Sequence, residues 1–126
     1  MFSHIVLGSD NINTSKAFYD ATMQALGYSA GKLDEKGRCN YFGSFGILCI
    51  TRPIDGNSAS HGNGVTIGFK AQNQSMVDLW FNSGLANGGV ECEAPPGIRT
   101  SPAGNLYQAF LRDPYGNKLC ATYFIS

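Results

Sequence analysis

His4-Ile5-Val6-Leu7-Gly8-Ser9-Asp10-Asn11, then Ala17-Phe18-Tyr19-Asp20, then Leu26-Gly27-Tyr28, is the stretch on which the fold turns. Phe2 to Leu7 alternates as a short strand and breaks at the turn-forming Gly8–Asn11. A helix is expected from about Ile12 to Leu26, with Asp10, Asn11 and Asn13 as candidate caps and Gly27 as its stop. Ala17, Phe18, Ala21, Ala25 and Leu26 recur at helical spacing and mark its expected apolar face. Short strands should follow near Tyr28–Leu33, Arg38–Phe42 and Gly46–Thr51.

This chemistry returns 62 residues later (from 4 to 66). His4 then meets Thr66, Ile5 meets Ile67, Leu7 meets Phe69, Phe18 meets Trp80, Tyr19 meets Phe81 and Gly27 meets Gly89. Toward the end of each half the offset is 71 (from 48 to 119), aligning Leu48 with Leu119, Cys49 with Cys120 and Thr51 with Thr122. The second half should hold a strand at Val65–Lys70 and a helix at Ser75–Ala86 with Met76, Val77, Trp80, Phe81 and Leu85 inside. Strands follow at Val90–Glu93, Leu106–Arg112 and Lys118–Phe124. The nine extra residues fall in Ala94 to Asn105, expected as a long loop of the kind that is functional or mobile.

The pattern predicts an α+β domain built from tandem β-α-β-β-β modules. Module one is about residues 1–52, a Gly-rich linker about 53–64, and module two about 65–126. Each sheet packs a helix on its outer face and curves toward a cleft on the other. Strand alternation then turns His4, Cys49, Thr66 and Cys120 toward the cleft, opposite Ile5, Leu48, Ile67 and Leu119.

Composition narrows the function. Nine basic and nine acidic residues give a formal net charge of zero, and 14% of the 126 residues are charged. No basic stripe marks a nucleic-acid binder, and no electrostatic feature draws the chain to an acidic membrane. No run of about 18 apolar residues suggests a membrane span. The start of the chain lacks a basic region before its apolar residues, so no signal peptide is expected, and a cytoplasmic location follows. Cys39, Cys49, Cys92 and Cys120 form no C-x-x-C pair and are expected as free thiols, a Cys49–Cys120 disulfide being the minor alternative. Phosphate-loop, dinucleotide and nucleophile-elbow motifs are absent.

The chain resembles the vicinal oxygen chelate superfamily of glyoxalases, bleomycin-resistance proteins and extradiol dioxygenases. The resemblance rests on His4-Ile5, Asp10, Ala17-Phe18-Tyr19-Asp20, Leu26-Gly27-Tyr28 and Phe110-Leu111-Arg112-Asp113-Pro114-Tyr115-Gly116-Asn117-Lys118-Leu119. It implies a homodimer and, in metal-dependent members, ligands on the first and last strands of each module. Those positions are His4, Cys49, Thr66 and Cys120, of which His4 alone matches the usual ligand type. The resemblance therefore implies a degenerate metal site.

Two functions remain open. The first is a glyoxalase-like lyase or isomerase acting on a small oxygenated or electrophilic metabolite, with His4 as its catalytic imidazole. Cys49, Thr66, Cys120, Arg52 and Tyr107 would contact the substrate. No cofactor is expected, although a zinc ion on His4, Cys49 and Cys120 is a softer alternative. The second is a non-catalytic binding protein of the bleomycin-resistance type. A trap for cations needs acidic residues, and Glu91 and Glu93 are the acids that a second-module strand would supply. Arg99 in the long loop is a further candidate anion contact. Tyr41 and Gln108 belong to strands whose facing the spacing leaves open.

Overall fold

The computed structural model describes residues 1–125. The chain runs β1 (His4–Gly8), α1 (Ile12–Ala25), β2 (Lys32–Leu33), β3 (Cys39–Gly43) and β4 (Gly46–Thr51). It continues as β5 (Ile67–Lys70), α2 (Gln74–Ala86), β6 (Val90–Glu91), β7 (Gly97–Ser101), β8 (Gly104–Arg112) and β9 (Lys118–Phe124). This is an α+β fold of two mixed sheets and two helices. The strand orders are β1-β4-β3-β2 and β5-β9-β8-β6, with β7 also paired to β8.

The register shows the internal repeat directly. β1 runs parallel to β4 with Ile5 opposite Leu48, and β5 runs parallel to β9 with Ile67 opposite Leu119. Val6 lies opposite Cys49, as Gly68 lies opposite Cys120. Both offsets read from the sequence, 62 and 71, are satisfied at once by these pairs.

Each helix starts on an asparagine whose side chain takes up a free amide. Asn11 accepts from the Thr14 amide at 3.1 Å, and Asn73 from the Met76 amide at 2.8 Å. The buried face of α1 is Ser15, Phe18, Tyr19, Thr22, Met23 and Ala25, whereas Ala17 is exposed. Phe18, Ala25 and Leu26 are inside as expected, and the face is widened by Ser15 and Thr22 because their hydroxyls find partners. Ser15 Oγ lies 2.6 Å from Ser9 Oγ, and Thr22 Oγ1 donates to the Phe18 carbonyl at 3.1 Å, so neither is buried unpaired. In α2, Val77, Trp80, Phe81 and Gly84 are buried, while Leu85 is exposed. Gly84 is inside because α1 crosses there. A side chain at that position would meet Leu111 Cδ1 and approach Phe18 Cε1 and Thr22 Cγ2 to 3.2 Å.

Both helices and one face of each sheet share a single core containing Phe18, Tyr19, Tyr41, Leu48, Ile50, Trp80, Leu111 and Leu119. Tyr41 and Tyr107 belong to this core side, which settles the facing of their strands. Alternation turns His4, Val6, Cys49, Gln108 and Cys120 to the opposite faces.

The segment expected as a loop from Ala94 to Asn105 is instead largely a hairpin. β7 pairs antiparallel with β8, from Gly97 opposite Gln108 to Ser101 opposite Gly104. Arg99 locks it by donating to the carbonyls of Ala94, Pro95, Gly97 and Gln108, with its guanidinium 5.1 Å from the Phe110 ring centre. Its terminal guanidinium nitrogens serve the chain itself, which makes Arg99 a structural clamp of this hairpin.

Candidate functional site

The Asp113-Pro114-Tyr115-Gly116-Asn117 turn joins the two halves before any ligand is considered. Asp113 is almost fully buried. Its Oδ1 accepts from the Tyr115 and Asn117 amides at 2.9 and 3.0 Å. Its Oδ2 accepts from Tyr19 Oη at 2.5 Å and from Asn117 Nδ2 at 2.8 Å. Asn117 Nδ2 also donates to the Gly8 carbonyl at 3.1 Å, which pins the turn to the end of β1. Burial, and then the Asp113 carboxylate, hold the Tyr19 hydroxyl well above its ordinary pKa.

With β1 and β5 so placed, a cavity of about 1030 Å³ opens between these two edge strands. His4 and Thr66 both line it. His4 Nδ1 stands 2.7 Å from Ser3 Oγ. Aromatic rings form much of the remaining wall: Phe2, Tyr28, Phe45, Phe69, Tyr123 and Phe124. Tyr28 and Phe45 meet edge to face at 5.1 Å between ring centres, and Phe45 and Phe69 do so at 6.3 Å. Lys70 also lines the cavity, its ammonium 5.9 Å from the Phe124 ring centre.

The other expected contacts are dispersed. Cys49 and Arg52 line a second cavity of about 740 Å³, walled by Val6, Ile12 and Ile54 and bordered by Lys36 and Arg38. Cys120 lines neither cavity; its thiol lies 3.5 Å from Thr122 Oγ1. Tyr107 donates from its hydroxyl to Asp78 of α2 at 2.7 Å, a bond between β8 and the helix that packs on it. That bond, with burial second, raises the Tyr107 pKa. Of the four positions expected to converge, His4 and Thr66 share a cavity, and Cys49 and Cys120 do not join them.

Burial pushes the thiols of Cys49 and Cys120 above their ordinary pKa, and both are free. Among the described residues no three His, Cys, Asp or Glu side chains stand close enough to share an ion. The zinc set of His4, Cys49 and Cys120 is therefore not assembled among the described residues of one chain.

The expected acids lie elsewhere too. Glu91 is in β6, and Glu93 follows it with φ +57° and pairs with Lys118. Neither lines the β1–β5 cavity. Sequence reasoning missed the ring wall around that cavity. Phe45, in the two-residue β3–β4 turn between Gly43 and Gly46, was its one local signal, since an aromatic residue at such a tip has no core of its own strand to enter.

Two sheets with the same parallel first-to-last strand pairing, each backed by one helix and bordering a cavity at its first strand, define a paired β-α-β-β-β class. Comparison with known proteins agrees. A glyoxalase/bleomycin resistance protein from Albidiferax ferrireducens T118 matches with TM-score 0.95 and 46% identity, over 98% of this chain and 99% of that one. A glyoxalase-related enzyme from Fulvimarina pelagi shares the fold with TM-score 0.73 at 17% identity, over 98% of this chain and 88% of that one. So does a lactoylglutathione lyase from Agrobacterium tumefaciens, with TM-score 0.66 at 20% identity, over 98% and 92%. No protein-family model and no curated protein matches. The chain belongs to the glyoxalase/bleomycin resistance protein family of the vicinal oxygen chelate superfamily.

No helix among the described residues is long and apolar enough to cross a membrane.

Proposed function

We propose that this protein is a small-molecule binder of the sequestering type, holding a compact, largely apolar ligand in the β1–β5 cavity. The observation that carries this reading is the wall of six aromatic rings around a volume large enough for a small organic molecule. Rings bury much area at low entropic cost and accept flat ligands face to face or edge to face. We read the protein as cytoplasmic and homodimeric. Val6 and Phe42, exposed on the face of the first sheet turned away from its helix, support a second copy there.

A lyase or isomerase is the second reading, favoured by one observation. Ser3 Oγ beside His4 Nδ1 orients the imidazole, which is the arrangement a positioned general base requires. His4 would then take a proton from a carbon next to a carbonyl in the bound metabolite and return it elsewhere. Thr66, across the same cavity, supplies a hydroxyl to the substrate oxygen.

Fluorescence titration with naphthol as a neutral aromatic probe tests the binding reading. Phe45→Ala should weaken binding about tenfold, which corresponds to roughly 1.4 kcal/mol and is the scale of one lost aromatic contact. His4→Ala should change it less than about threefold. Loss of turnover on a screened carbonyl substrate in His4→Ala, with the ring variant still active, would instead make the protein an enzyme.

A further inference from the structure

We propose that the β1–β5 cavity selects a planar aromatic anion, a ring system bearing a carboxylate, with Lys70 as the charge anchor. This rests on the reading of the cavity as a small-molecule site and adds the sign and chemistry of its ligand.

Charge asymmetry carries the inference. The cavity is lined by no aspartate and no glutamate, while Lys70 contributes an ammonium group. Lys70 has no carboxylate partner among the described residues. The pairing of β5 with β9 places Lys70 opposite Thr122, and its ammonium lies over the Phe124 ring. The cation is thus held beside an aromatic wall. A carboxylate joined directly to a ring would meet the ammonium while its ring stacked on Phe124, which lies beside Lys70 at the cavity wall. Ser44, Thr66 and Gln72 line the same cavity and offer neutral donors to the remaining carboxylate oxygen.

A cationic ligand is disfavoured by the same geometry. It would have to leave water without any carboxylate to meet it, next to a like charge. A neutral aromatic ligand would fill the rings but leave the ammonium to solvent alone.

Three probes of one shape and different charge form the test: naphthoate, naphthamide and naphthylmethylamine, each titrated calorimetrically against the full chain. Naphthoate should bind about fivefold more tightly than naphthamide, the scale of one partly exposed ion pair, and the amine more weakly than either. The naphthoate advantage should shrink in about 1 M salt, where charge interactions are screened within a few ångströms. It should vanish in Lys70→Met and reverse in Lys70→Glu, whose far-ultraviolet circular dichroism must match the parent. Equal affinity for all three probes, with Phe45→Ala still weakening each, overturns the charge inference and leaves the ring-lined site standing. No binding by any probe overturns both. Retention of the naphthoate preference in Lys70→Met overturns the assignment of Lys70.

Discussion

Tyr19 of α1 donates its hydroxyl proton to Asp113 at 2.5 Å, a hydrogen bond between residues 94 positions apart that ties the helix of the first half to the last turn of the second. Both groups are buried, so neither can exchange the bond for water without opening the core. Asp113 in turn holds Asn117, and Asn117 holds the Gly8 carbonyl at the end of β1. The β1–β5 cavity is therefore positioned by a buried polar relay as well as by apolar packing.

Tyr19→Phe removes one donor from a buried carboxylate and leaves the rest in place. A loss of about 1–3 kcal/mol in urea-unfolding free energy is expected. Asn117→Ala should cost a similar amount, and because both act on Asp113, the double variant should depart from additivity by at least about 0.5 kcal/mol. Strict additivity would show that the two bonds act independently.

Gly84→Ala sets helix propensity against packing. Alanine favours a helix interior by about 1 kcal/mol over glycine. The new methyl would overlap Leu111 and crowd Phe18 and Thr22 where α1 and α2 cross. Overpacking of this kind costs about 1–3 kcal/mol. A net destabilisation is expected in thermal unfolding, and a raised melting temperature would mean that the helices separate without cost.

Asp34 gives a pH dependence. Desolvation pushes its carboxyl up, but the Arg38 amide and guanidinium, the Asn40 side-chain amide and the Lys36 amide outweigh it and bring the carboxyl down from 3.8 to about 2. A folded pKa below the unfolded one contributes stability at higher pH, lost as pH falls through that interval. The urea midpoint of the parent should exceed that of Asp34→Asn at about pH 7, with the gap closing between about pH 4 and 2. A gap that persisted at pH 2 would assign the effect to shape and not to charge.

The thiols should be unreactive while the protein is folded. Burial raises Cys39, Cys49, Cys92 and Cys120 above the ordinary cysteine pKa, and thiolate is the reacting form. With Ellman's reagent, Cys49 and Cys120 should label at least about tenfold more slowly in the native protein than in urea. Equal rates would show an activated or freely exposed thiol.

Much of the architecture was legible in the residues alone, because a duplicated fold leaves two copies of the same pattern. Ile5 with Leu48 and Ile67 with Leu119 could be aligned by spacing and are paired in the register found. The face of α1 was harder, since Ser15, Tyr19 and Thr22 look solvent-facing until Ser9, Asp113 and a helix carbonyl supply partners. β7 was hidden for a similar reason: Pro95, Pro96 and Gly97 signal a loop, and the Arg99 clamp that orders the segment reaches the carbonyls of Gly97 in β7 and Gln108 in β8.

By itself the sequence determined the periodicity of strands and helices, a cap for the first helix among Asp10, Asn11 and Asn13, and the internal repeat, all properties carried by residues along the chain. Tertiary structure alone decided which residues share a space. His4 and Thr66 came together while Cys49 and Cys120 stayed apart, and Phe45, Phe69, Phe124 and Lys70 joined from three separate elements around one cavity. Periodicity specifies the face on which a side chain emerges. It does not specify how far apart two sheets stand, which is set by how the two helices pack against each other and against their own sheets.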